Sequence, residues 1–455
     1  MPETTPFHDC LTPYNETGIW KHWSGYLVAP RYQYSTTAEY YAIRDSVAVL
    51  DTSPLFKYRI TGADCLRFLE TVMVRDITQC AVGAAQYTCW CDPDGFVLQD
   101  GVIMRISENE FWMSSAEPSL RYFRATAAEL GIQDVEIQDV SREYGILAVQ
   151  GPHAYSVVSQ LTEAVDAMGY FELAETEIAG CPVLISRTGY TGDLGYELWI
   201  RAEDAQSVWQ RLIDAGKNFN ITPIGLEALK MARVEAGLLL LGVDFESARF
   251  AWVDAQRESP IELGWRWMLR KPENDPDDPR QFIGRAAIEK QINERSNRWT
   301  TVGLSIDWHD YERVYLEAGI MPPKHDLYCE SARSVYRRGE KEWDYAGYAT
   351  SFLFSSILKK PIAIAKLPND LAKPGTEVDL EISIMHKPVN VLATVQRMPF
   401  FNPARKTQQP TSALTSEQPL TGKISSCTTI LTMMPSSSVV ATMVWSTPPT
   451  SPRPV

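Results

Sequence analysis

The sequence has no apolar run long enough to cross a membrane as a helix. It has no basic run either, and its formal net charge is -14, which argues against a nucleic-acid footprint. Histidine is scarce: the six residues at 8, 22, 153, 309, 325 and 386 form no H-x-x-x-H pair. Of eight cysteines only Cys89 and Cys91 are close-set, and no second pair completes a four-ligand zinc spacing. No metal site is expected, and the thiols read as free in a reducing cytoplasm. The N-terminus lacks the basic-then-apolar layout of a secretory signal. What is present is 45% hydrophobic residues over 455 positions, enough for a large core and two or three domains.

Residues 1–45 carry many rings, among them Trp20, Trp23, Tyr26, Tyr32 and Tyr40, and read as a packed arm. Apolar spacing predicts helices over 37–45, 118–130, 153–168, 205–215, 226–236 and 281–291, and Thr61–Asp64 caps another that runs through Val72. Pro118 suits the first position of its helix, and Gly237 suits a C-cap. Asp92-Pro93-Asp94-Gly95 is a turn joining strands 85–91 and 96–106. Residues 300–400 change character, with alternating strands at 301–306, 377–384 and 389–395 and few helices. A β-barrel-like C-terminal domain is expected there.

Two carboxylates stand out. Ser186–Leu198 reads S-R-T-G-Y-T-G-D-L-G-Y-E-L, with glycines at every third position and strand-like runs on both sides. Glycines let a backbone approach a ligand closely, so this is either a tight loop that delivers Glu197 to a defined place or a hairpin turn with a surface glutamate. Asp100 lies inside a strand beside the apolar run at 102–104. A carboxylate there needs partners or a cavity unless it faces solvent, and strand alternation does not settle its side.

The motifs resemble the aminomethyltransferase (T-protein) family of the glycine cleavage system. That family includes folate domains of dimethylglycine- and sarcosine-oxidising enzymes and dimethylsulfoniopropionate demethylase. The resemblance runs from about Thr5 to Ala404. It is carried by T-P-F at 5–7, A-I-R-D at 42–45, L-D-T-S at 50–53, D-G-F-V-L-Q-D at 94–100 and V-Q-G-P at 149–152. R-T-G-Y-T-G-D-L-G-Y-E at 187–197, A-R-V-E-A-G at 232–237 and F-I-G-R at 282–285 complete it.

The resemblance implies an α+β fold, a three-domain cloverleaf with tetrahydrofolate in a central channel. Residues 1–295 would be the folate-binding region of two intertwined domains, 296–404 the barrel-like domain and 405–455 a tail. It implies Glu197 as the pterin anchor, since a carboxylate accepts two adjacent N–H donors in a fork. Tyr190 and Tyr87 would line the channel, with Arg233 and Arg285 as further cofactor contacts. Asp100 would be the catalytic carboxylate, shuttling a proton or stabilising a cation.

The chain departs from the glycine cleavage pattern at Gln99, where those T-proteins have a second aspartate, at Pro54, where they have a histidine, and at Leu229, where they have an arginine. The implied activity is a tetrahydrofolate-dependent aminomethyl- or methyltransferase, with demethylation of a small amine, sulfonium or aryl ether in scope. The alternatives are a folate domain serving a flavin oxidoreductase of methylamine type, and a non-catalytic folate-binding protein. Trp20, Trp23 and Tyr26 read as core rings, with a cage for a cationic donor as the alternative.

After Arg405 the composition turns to Ser, Thr and Pro with few charges, a low-complexity tail. Read two nucleotides along with permitted third bases, Met433–Thr450 can spell a strand followed by G-x-G-x-x-G, the dinucleotide-binding fingerprint. A frameshifted flavin-type oxidoreductase start is the expectation drawn from this.

Overall fold

The computed structural model describes residues 2–269, 280–324, 328–339 and 343–410, all within one compact unit, Met1–Thr415. The tail from 411 onward, with its shifted fingerprint, lies outside the described residues.

Three larger sheets organise the chain. One has six strands in the order Leu173–Ile178, Cys181–Ser186, Gly195–Arg201, Tyr144–Gln150, Ala48–Asp51 and Thr222–Pro223. Its pairings are antiparallel except the last. A second, fully antiparallel, runs Ala84–Cys91, Val97–Ser107, Glu110–Ser115, Phe56–Thr61 and Glu136–Asp139. The third closes on itself. Arg333–Arg337, Tyr345–Ser355, Lys360–Leu367, Thr300–Ile306, Lys387–Gln396 and Glu377–Ile384 pair in turn, and the last returns to the first. Alternation explains the barrel: Val378, Leu380, Ile382 and Ile384 are buried, while the residues between them are exposed or half-buried. The fold is the expected α+β arrangement with a C-terminal barrel.

The lobes meet at two helices. Thr36–Asp45 packs on Leu226–Glu235, and one core joins Tyr40, Ile43, Ala228 and Met231 to Leu353 and Ile364 of the barrel. A buried charge network crosses the same place. Arg44 donates to Glu235 at 2.7 and 3.0 Å and to Asp193 at 3.3 Å. Glu235 also accepts from Tyr40 Oη at 2.6 Å and from Ser355 Oγ at 2.5 Å. Fully buried charges are tolerated only when partnered this completely.

Two of the expected helices differ, and one helix is unexpected. The helix expected over 153–168 is a short helix, Ala154–Val158, followed by a 3-10 turn at Glu163–Val165. Thr162 is extended and its hydroxyl caps the Ala164 N–H at 3.2 Å, which interrupts the run. Pro118 falls outside its helix, Leu120–Glu129, ahead of Ser119 at the N-cap. Trp308–Glu317 is a helix not expected in the barrel region. Asp307 starts it by capping the Asp310 N–H at 2.8 Å, and Tyr311 and Val314 bury its inner face.

Candidate functional site

The glycine-rich segment joins two paired strands, with Ser186 opposite Glu197 and Ile185 opposite Leu198. The intervening loop is pinned from several sides. Gln150 Nε2 donates to the Thr188 carbonyl at 3.2 Å, and its Oε1 accepts from Thr191 Oγ1 at 2.8 Å. A Cβ on Gly189 or Gly195 would overlap the Gln150 carboxamide, so both glycines are there for close approach. Gly192 has φ +71°, and a Cβ there would collide with Ala236. Tyr190 Oη donates to the Leu239 carbonyl.

Glu197 is half-buried at the base of this loop. Its Oε2 accepts from Thr188 Oγ1, which in turn pairs with Ser186 Oγ at 2.6 Å. Among the described residues Oε1 has no hydrogen-bond partner, and it is not sealed in the interior. Burial raises the carboxyl's pKa and the Thr188 hydroxyl opposes it. The result is a carboxylate with one oxygen anchored and one open to a donor.

Asp100 comes from the other large sheet. It lies opposite Cys89, with Tyr87 two residues along the same face. Tyr87 Oη donates to Asp100 Oδ2 at 2.6 Å. Burial pushes the Asp100 carboxyl up to about 6, against the Tyr87 hydrogen bond, which pulls it down. The Tyr190 phenol is raised mainly by burial. Arg233 pulls against that, and the Asp100 and Asp244 carboxylates add to it. Tyr87, Asp100 and Tyr190 therefore share one electrostatic neighbourhood. Two tryptophans that sequence patterning missed complete the wall: Trp265 meets Tyr87 edge-on at 5.9 Å, and Trp267 stacks on it at 6.4 Å and 24°.

The two candidate arginines are hydrogen-bonded to other protein groups. Arg233 is fully buried. It pairs with Asp244 and donates to Tyr328 Oη at 2.9 Å and Ser351 Oγ at 2.8 Å. It ties the helix Leu226–Glu235 to the barrel. Arg285 donates to Glu289 Oε1 at 2.8 Å and to the Arg280 carbonyl. Of the three rings expected in the core, Trp20 packs against it and meets the His8 ring at 4.4 Å, whereas Trp23 and Tyr26 are half-buried in two short paired strands, Lys21–Trp23 and Tyr26–Val28.

Residues 13–271 match the family model for the GCVT N-terminal domain, and 317–402 match the glycine cleavage T-protein C-terminal barrel domain. The chain belongs to the glycine cleavage T-protein family. It is 31% identical over 408 residues to an aminomethyltransferase of Bacillus subtilis, covering 88% of this chain and 99% of that protein. It is also 31% identical over 394 residues to a trimethylamine-oxide aldolase of Ruegeria pomeroyi, covering 84% of this chain and 45% of that one. The crystal structure of the glycine cleavage system aminomethyltransferase T from Bartonella henselae superposes with a TM-score of 0.72 at 19% identity, over 88% of this chain and 99% of that one. That likeness shows the T-protein fold. No helix among the described residues is long and apolar enough to span a membrane.

Proposed function

We propose that this T-protein family member is a tetrahydrofolate-dependent one-carbon transferase that takes an aminomethyl or methyl-derived unit from a small donor. The observation that carries this is the Tyr87–Asp100 pair, a raised carboxyl held by a phenol within electrostatic reach of Tyr190 on the glycine-rich loop. The donor set fits a pterin, because the open oxygen of Glu197 is an acceptor and pterins present N–H donors. Tetrahydrofolate, when bound, supplies the nitrogen nucleophile that accepts the one-carbon unit. Glu197 orients it, with Thr188 holding the carboxylate from behind. Tyr190, tied to the Leu239 carbonyl, offers a fixed flat face. Asp100 takes or returns a proton near neutral pH and stabilises positive charge on the donor. Tyr87 keeps Asp100 in one rotamer and favours its ionised form.

The donor class supported best is a small methylated amine, with sulfonium and aryl ether compounds as further candidates. The name of the Ruegeria relative points to methylated amines. That relative also favours a second arrangement, a folate domain that works beside another catalytic unit such as a flavin oxidoreductase, since the matched region is under half of its length. The test is direct. The purified chain is mixed with tetrahydrofolate and separately with sarcosine, dimethylglycine, dimethylsulfoniopropionate and vanillate, and the folate products are followed by mass spectrometry. A methyl-folate product with one donor is the expected result, the donor's heteroatom–methyl bond breaking as the folate nitrogen–methyl bond forms; a methylene-folate product needs a two-electron oxidant such as a flavin oxidoreductase added to the mixture. Folate binding without turnover of any donor supports the partner-domain arrangement, and absence of folate binding removes both.

A further inference from the structure

We propose that Arg75 receives the carboxylate tail of the folate, an assignment that rests on the folate reading above. The candidate arginines are otherwise committed: Arg233 to Asp244, Tyr328 and Ser351, and Arg285 to Glu289 and the Arg280 carbonyl. Lys230, on the helix of Arg233, is paired with Glu330 at 2.6 Å.

Arg75 differs. Its segment runs along the edge of the strand that carries Tyr87: the Val74 N–H donates to the Cys89 carbonyl at 3.0 Å, and the Arg75 N–H to Thr88 Oγ1 at 3.2 Å. Nη1 donates to the Tyr87 carbonyl at 3.3 Å, and the guanidinium lies over the Trp267 ring at 5.3 Å. Among the described residues it has no carboxylate partner. A guanidinium carries five N–H donors, and among the described residues one of them is used.

A half-buried cation without a counter-charge is costly unless a ligand completes it. Burial already weakens the hold of Arg75 on its proton. The ring of Trp267 keeps the guanidinium flat and stacks on Tyr87, whose hydroxyl holds Asp100. A single aromatic wall thus has an unpaired cation at one end and the proposed catalytic carboxylate at the other. This matches an elongated flat ligand with a reactive head and an anionic tail. The planar fork of Arg75 suits a carboxylate better than an ammonium would.

The experiment compares wild type, R75Q and R75K by calorimetric titration. The probes are tetrahydrofolate and 6-methyltetrahydropterin, which has the head without the tail. R75Q is expected to weaken tetrahydrofolate binding about tenfold or more. It is expected to leave the pterin within about twofold, with R75K recovering part of the loss. The salt dependence of tetrahydrofolate binding should flatten in R75Q. Unchanged tetrahydrofolate binding by R75Q overturns the assignment, and so does an equal loss of pterin and folate, which marks a structural role. If wild type binds neither probe, the folate reading itself fails and takes this one with it. That case is recognised by the silence of wild type toward both probes.

Discussion

Arg405 grips the Asp193 carboxylate with two hydrogen bonds, Nε to Oδ1 at 2.6 Å and Nη2 to Oδ2 at 2.9 Å. Asp193 belongs to the glycine-rich loop, and Arg405 follows the last strand of the barrel. Nearby, Arg187 of the same loop donates to the carbonyls of Lys406 and Gln408, and Phe400 and Phe401 donate their N–H groups to the Glu235 carbonyl at 2.9 Å. The segment 400–408 thus straps the loop in place without contributing a side chain to the wall around Asp100. Asp193→Asn leaves Arg405 and Arg44 facing a neutral amide in a buried site. It should cost on the order of 2–3 kcal/mol, read as a shift in the urea midpoint at constant slope. Arg405→Lys keeps the charge but loses the fork, and should fall between wild type and Arg405→Met.

The loop's glycines make a second prediction. The added methyl of Gly189→Ala has to displace the Gln150 carboxamide, which is itself bonded to Thr188 and Thr191. The cost should be about 1–3 kcal/mol. Gln150→Ala removes the obstacle along with its two hydrogen bonds. The double variant should therefore be less destabilised than the sum of the singles, with a coupling of about 1 kcal/mol in a denaturation cycle. Full additivity would mean that Gln150 does not set the close approach.

Asp100 predicts a pH signature in stability as well as in turnover. Its carboxyl titrates near 6 when folded, against about 3.9 in an unfolded chain. The folded state holds the extra proton between those values. This group's contribution is therefore fully present below about pH 4 and is lost as pH rises through 6. Asp100→Asn does not titrate. The variant should gain on wild type between pH 4 and pH 8, by about 3 kcal/mol, in paired urea titrations. Turnover should fall about a hundredfold or more while folate binding persists.

Much of the architecture was legible because it rests on local patterns. Two-residue alternation marked Glu377–Ile384, and 3.6-residue spacing marked Ala205–Gly216, since each element buries one face regardless of its partners. The loop at 187–194 was legible because glycine at fixed intervals announces close packing. The partners of the arginines were not. Arg233 is an A-R-V-E-A-G residue by motif, but its charge is spent on Asp244 and on Ser351 of a barrel strand far along the chain. Arg75 carries no local signal, because its neighbour Trp267 arrives from another part of the chain. Trp308–Glu317 was missed because the surrounding strands set the expectation, although Asp307 and Asp310 have the spacing of a helix start.

Tyr87→Phe separates the two influences on Asp100. The phenol's hydrogen bond stabilises the ionised carboxylate, and burial opposes it. Removing the hydroxyl leaves burial alone, so the Asp100 pKa should rise from about 6. A hydrogen bond to a charged group contributes about 1.5 kcal/mol, which corresponds to a shift of about one unit. The measurement is the carboxyl carbon shift of Asp100 across pH in the free protein, which requires no substrate. Turnover should follow with its acidic limb displaced upward by a similar amount. At pH 8 both proteins hold Asp100 ionised, and their rates should converge to within the loss of orientation that Tyr87 supplies. An unmoved or lowered pKa in Tyr87→Phe would mean that water replaces the phenol and that Asp100 is more open than its burial indicates.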